Sequence, residues 1–266
     1  MANTEVNGIR LYWERQGGGP PLLFISGTGG DLRKKPNVFD GPLPKSFDVL
    51  SYDQRGLGQS EKPSDRPFSM EDYAADAAAL IEEAGWESAH VIGVSFGGMV
   101  AQELAIRFPE RVRKLVLACT SPGGEGGASY PFHTIAHLSA EDHARHMIPI
   151  SDTRHDEAWA KVNPEQYEKL VEMAAADPYA DEPGHAEGAS AQLAARATHD
   201  TWNRLEHIRA ETLICGGKYD GIALPETQNR LKSRIPHAEM QMFEGGHLFL
   251  LQDRAAFPAI MQFLAG

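Results

Sequence analysis

The sequence predicts an α/β protein: a mostly parallel central sheet flanked by helices, with one helical insertion. Three observations predict it. Short apolar runs alternate with helix-period segments through residues 21–118 and again through 212–264, the pattern of strands and helices wound into a parallel sheet. The alternation stops between about residues 121 and 205, where there is no strand-like apolar run and Ala-rich stretches favour helix. Finally, Gly93-Val94-Ser95-Phe96-Gly97 lies where an apolar, partly β-branched run (89–94) meets a helical one (99–107). Ser95 therefore stands at a strand-to-helix corner.

The elements follow in order. Residues 6–15 predict a hairpin turning at Asn7-Gly8, and 21–26 (PLLFIS) predict the first fully buried strand, followed by a flexible turn, Gly27-Thr28-Gly29-Gly30. Residues 47–52 form the next strand. Residues 69–84 form a helix with Ser69 as its cap, Asp72 three residues on and Gly85 as its stop. The strand 89–94 leads into Ser95, the helix 96–108 is closed by Pro109, and 113–118 is again a strand. The insertion opens with glycines at 123, 124, 126 and 127 and predicts helices over 165–176 and 186–197. A strand at 212–215, a helix at about 225–235, a strand at 239–243 and a last helix after Asp253 resume the alternation. Residues 1–121 and 205–266 thus form one core, interrupted by the helical stretch 122–204.

Composition limits the function classes. With 266 residues, 42% of them hydrophobic, the chain has enough apolar surface for a substantial core. Residues 1–16 carry Glu5, Arg10, Glu14 and Arg15 and lack an apolar leader segment, and no stretch approaches the roughly 20 apolar residues of a membrane span, so a cytoplasmic location is expected. A net charge of −12 argues against a nucleic-acid or anionic-membrane partner, since tracking phosphates needs clustered Lys and Arg. A small-molecule partner is expected, and a homodimer stays open. Cys119 and Cys215 end apolar runs and read as buried free thiols.

The chemistry centres on Ser95. A corner this sharp needs residues without side chains two before and two after it, and Gly93 and Gly97 provide them. A serine hydroxyl is a poor nucleophile unless a base removes its proton, and histidine is the usual base. Of the 11 histidines, His247 follows Gly245-Gly246 directly after a strand, on the same carboxyl edge of the sheet as Ser95. Asp220 lies just beyond the strand ending at Cys215 and reaches that edge too, where it could orient His247. Asp220 also suits a turn aspartate, with Glu125 as the rival acid.

Ser, Asp and His in this chain order, at one end of one sheet, resemble the α/β-hydrolase family. The resemblance covers about residues 4–121 and 205–264 and extends to Tyr52-Asp53-Gln54-Arg55-Gly56-Leu57-Gly58-Gln59-Ser60 and to Gly85-Trp86. It implies that 122–204 is a cap domain. It also implies an oxyanion hole made of the backbone N–H of Phe96 and a second donor from the turn after residue 26. Relatives often carry His-Gly there and this chain has Ser26-Gly27, so Thr28 is the expected donor and Gly29 the alternative.

The implied activity is that of a cofactor-independent serine hydrolase of a small carboxylic ester or lactone, similar to enol-lactonases and small esterases. A carbon–carbon bond hydrolase, an aminopeptidase, a cofactor-free haloperoxidase and a non-catalytic small-ligand receptor are the alternatives. Asp53, Arg55 and Ser60 read as loop-fixing residues. Histidines 133, 137, 143 and 146 lack a completing Cys, Asp or Glu pattern, so no metal is expected. Arg33-Lys34-Lys35 reads as a solvated face, with guidance of an anionic substrate as the second reading.

Overall fold

Asn7 and Gly8, with φ of 51° and 71°, turn β1 (Ala2–Val6) back onto β2 (Ile9–Gly17), as a tight hairpin requires. The computed structural model describes residues 2–63 and 67–266. The chain continues through β3 (Pro21–Ile25), β4 (Asp48–Tyr52), α1 (Met70–Glu83), β5 (Ala89–Val94), α2 (Phe96–Arg107) and β6 (Val112–Ala118). The insertion carries α3 (Ala140–Ser151), α4 (Glu157–Val162), α5 (Pro164–Ala175) and α6 (His185–Ala197). The core then resumes with β7 (Glu211–Gly217), α7 (Pro225–Arg234), β8 (Glu239–Phe243), α8 (Phe249–Gln252) and α9 (Ala256–Ala265).

The eight strands form one sheet in the order β1-β2-β4-β3-β5-β6-β7-β8, and only the pairs β1·β2 and β2·β4 are antiparallel. The expected mostly parallel sheet is what forms. Helices cover both faces. One core layer packs Leu23, Val91, Leu115 and Ile214 against α1, α2 and α7, and the other packs Val49, Ile92, Val116 and Leu213 against α8 and α9. This two-sided burial explains why β3, β5 and β6 read as unbroken apolar runs, whereas the edge strand β1 alternates half-buried and exposed positions. Ser69 caps α1 as expected, with its hydroxyl accepting from the Asp72 N–H while the Asp72 carboxylate accepts from the Ser69 N–H.

Two differences from expectation have physical causes. β7 runs two residues further, through Gly216 and Gly217, because there the adjoining chain lies against it. A Cβ on Gly217 would stand 2.0 Å from the Gly246 carbonyl, and one on Gly216 would stand 2.2 Å from the Gln228 side chain. In the insertion, α3 is a helix despite Pro149 in its last turn, because Ala144, Met147 and Ile148 bury one face against Ile135, Val171 and Ile222. Both cysteines are free and buried. No described helix is long and apolar enough to cross a membrane.

Candidate active site

Ser95 follows the last residue of β5 and precedes the first of α2, with φ of 55° and ψ of −115°, a conformation side chains rarely adopt. Its neighbours hold it there. The Ser95 N–H donates to the Ala118 carbonyl at 2.8 Å, and Thr120 Oγ1 donates to the Ser95 carbonyl at 2.8 Å. The flanking glycines are required by close backbone approach: a Cβ on Gly93 would lie 2.3 Å from the Gly97 carbonyl, and one on Gly97 would lie 2.1 Å from the Ile25 carbonyl. Gly97→Ala is therefore expected to cost about 3 kcal/mol or more, since neither backbone can yield without moving β3 or α2. Chemical denaturation reads this directly, and a loss under 1 kcal/mol would refute it.

The structure brings Ser95, His247 and Asp220 into one hydrogen-bonded chain. His247 Nε2 lies 2.9 Å from Ser95 Oγ, and His247 Nδ1 lies 2.8 Å from Asp220 Oδ2. Asp220 is 1% exposed and uses both oxygens. Its Oδ1 accepts from the Ile222 and Ala223 N–H groups at 2.8 and 2.9 Å, so it is a turn aspartate and the partner of His247 at once. Glu125, the rival acid, is exposed on a short 3₁₀ turn.

The helical insertion is fastened to the same loops. The Gly221 N–H donates to the Ile150 carbonyl at 2.9 Å, the Thr153 N–H to the Tyr219 carbonyl at 2.9 Å, and the His247 N–H to the Ser151 carbonyl at 2.6 Å. The C-terminal end of α3 thus touches the loops carrying Asp220 and His247 through main-chain hydrogen bonds.

At the turn after β3, a Cβ on Gly27 would lie 3.4 Å from Ser95 Cβ, which places this turn beside the serine. The Gly29 N–H donates to Gln192 Oε1 at 2.9 Å, whereas no hydrogen bond from the Thr28 N–H occurs among the described residues. The Phe96 N–H opens α2 and has no intrahelical acceptor. Of the two expected donors from the turn, Thr28 is therefore the one left available. An apolar cleft of about 430 Å³, lined by Phe24, Val94, Leu248, Leu251 and Phe257, runs along Gly27 and His247.

Asp53 fixes the loops around this cleft, accepting from the Leu32 and Gln59 N–H groups at 2.7 and 2.8 Å. Burial pushes its carboxyl up to about 6, against the pull of those bonds. Arg55 pairs with Asp76 at 2.7 Å, both side chains nearly inaccessible. His146 lies 2.6 Å from Tyr130 Oη and His143 stacks on Phe132.

The cluster Arg33-Lys34-Lys35 is tied up in ion pairs, with Lys35 still largely exposed and Lys34 on the wall of the cleft. Arg33 pairs with Asp31 and Glu182 at 2.6 Å and lies 3.6 Å over the Tyr179 ring, Lys34 pairs with Asp177 at 2.8 Å, and Lys35 pairs with Asp40 at 3.3 Å. Two of these partnerships tie the loop after β3 to the segment before α6. Arg33→Glu is expected to lower kcat/KM by about tenfold on neutral and anionic esters alike, because it loosens the helical insertion from the loop after β3. A loss confined to anionic esters would contradict this.

One residue at the site gave no signal in the sequence. Arg196, from α6, is 7% exposed; its Nη1 donates to Thr28 Oγ1 at 3.1 Å and its Nη2 to Ser129 Oγ at 2.7 Å.

Comparison with known proteins agrees with this architecture. The family model for the α/β hydrolase fold matches residues 20–253. The chain is 30% identical to a poly(3-hydroxyalkanoate) depolymerase from Ectopseudomonas oleovorans, over 92% of this chain and 84% of that protein. It is 27% identical to 3-oxoadipate enol-lactonase 2 from Acinetobacter baylyi, over 90% of this chain and 85% of the relative. Among solved structures, the enol-lactonase from Burkholderia xenovorans superposes with a TM-score of 0.80 at 24% identity, covering 100% of both chains.

Proposed function

The chain belongs to the α/β-hydrolase family, and from that premise we propose that it is a cofactor-independent serine hydrolase acting on a small carboxylic ester or lactone. The observation that carries the proposal is the chain Ser95 Oγ, His247 Nε2, His247 Nδ1, Asp220 Oδ2, with contacts of 2.9 and 2.8 Å. Ser95 Oγ attacks the carbonyl carbon while His247 takes its proton, and Asp220 holds the imidazole in the tautomer that presents a bare Nε2. The negative charge that develops on the carbonyl oxygen is met by the Phe96 and Thr28 N–H groups, each such donor contributing about 3 kcal/mol to the barrier. His247 returns the proton to the leaving oxygen, and water, activated by the same imidazole, releases the acyl group from Ser95.

Similarity to a protein named an enol-lactonase supports the lactone side of this reading. The apolar cleft of about 430 Å³ beside His247 suits a substrate of modest size. The experiment is turnover of 4-nitrophenyl acetate and butyrate by the wild type and by Ser95→Ala. Hydrolysis by the wild type alone is expected, and equal inertness across short esters and lactones would remove the proposal in favour of a ligand receptor.

A further inference from the structure

Arg196 is a buried cation without an ion-pair partner, the Asp220 carboxylate acting on it only through space. Among the described residues it forms no ion pair, and its two hydrogen-bond partners, Thr28 Oγ1 and Ser129 Oγ, are neutral hydroxyls. Its Nε has no protein partner, so of five N–H donors the protein engages two. Its guanidinium also lies 4.7 Å from the centre of the Phe132 ring. The arginines 33, 55, 107, 145 and 204, by contrast, each stand against a carboxylate. Burying a guanidinium without a counter-charge costs several kcal/mol, which folding alone has no reason to bear.

The surroundings describe what is missing. Arg196 lines a partly open pocket of about 70 Å³ together with Met99, Ser121, Ser129, Phe132 and His199. The Ser121 hydroxyl is buried there without a protein partner. Burial holds His199 down to about 4, so its imidazole is neutral at physiological pH and Arg196 is the charge of the cavity. Burial lowers Arg196 to about 10, which leaves it cationic under the same conditions. Arg196 reaches toward the reaction centre through its bond to the Thr28 side chain, which belongs to the turn whose Gly27 lies beside Ser95. A planar guanidinium with three unused N–H groups fits a carboxylate, which takes two parallel hydrogen bonds from it.

Resting on the hydrolase reading above, we propose that Arg196 anchors a substrate carboxylate, and that the substrate is an ester or lactone bearing that anion close to its scissile carbonyl. The test compares monomethyl glutarate with methyl butyrate, and acetoxyacetate with ethyl acetate, in a pH-stat. The pairs place the anion on the acyl and alcohol sides in turn. The wild type should favour at least one anion over its neutral counterpart by about tenfold or more in kcat/KM, mainly through KM. Arg196→Gln should bring that ratio to about 1, and Arg196→Lys, which keeps the charge and loses the fork, should restore part of it. No anionic preference in the wild type, or an unchanged ratio in a folded Arg196→Gln, overturns the inference while leaving the hydrolase reading intact. If the wild type exceeds Ser95→Ala on no ester, the hydrolase reading fails instead. Calorimetric binding of glutarate then decides Arg196: binding at least about tenfold weaker in Arg196→Gln supports the anchor, and equal or absent binding removes it.

Discussion

Replacing Ser95 with alanine is expected to lower kcat by about 10⁴- to 10⁶-fold, the range for removing the nucleophile of such a triad. The loss should be chemical and not structural. The serine Oγ contacts His247 Nε2, whereas the corner is held by the Ser95 N–H and carbonyl, which an alanine keeps. Alanine also bears no more strain than serine at φ of 55°, so stability should change by less than about 1 kcal/mol. The measurement is kcat on 4-nitrophenyl butyrate beside a denaturation curve. Because Ser95 and His247 act as one unit, the double variant with His247→Ala should be no slower than the single one. A further hundredfold drop would show the two working independently, and retention of a tenth of wild-type activity would exclude Ser95 as nucleophile.

Asp220→Asn is expected to cost about 10⁴-fold in kcat while leaving the fold in place. The geometry dictates which way the new amide sits. Oδ1 accepts from two backbone N–H groups, of Ile222 and Ala223, and an NH₂ there would set donor against donor. The amide oxygen must take that position, so the NH₂ faces His247 Nδ1 at the place of Oδ2. His247 Nδ1 then has to accept, which puts the ring proton on Nε2, toward Ser95, where it can no longer take the serine proton. Asp220→Ala should lose activity and, in addition, about 1–2 kcal/mol of stability with the turn. Activity in Asp220→Asn within tenfold of wild type would mean that the aspartate serves the turn alone.

The parts of the molecule that could be read from the sequence are those encoded locally. β5 and β6 are visible because burial on both faces demands continuous apolar residues, and Asp220 and His247 because each lies just past a strand on the edge that Ser95 occupies. What stayed hidden depends on distant pairing. Glu182 and Asp177, which pair with Arg33 and Lys34, lie more than a hundred residues along the chain, so the cluster looked free. Arg196 hid for the same reason: its partners Thr28 and Ser129 lie 168 and 67 residues away, and nothing in its Ala-rich helix sets it apart.

The three main-chain hydrogen bonds from residues 150–153 to the loops of Asp220 and His247 also bear on how this family diversifies. Selectivity is often pictured as residing in a detachable module that can be exchanged while the engine is left alone. In this protein the exchange would carry off part of the engine mount. A chimera that imports a foreign segment for residues 122–204 keeps its histidine in register only if the graft reproduces the backbone path through 150–153. Engineering a new preference is therefore better begun on α6 and the 128–133 stretch, which line the pocket of Arg196, than on α3, which braces the loops of Asp220 and His247.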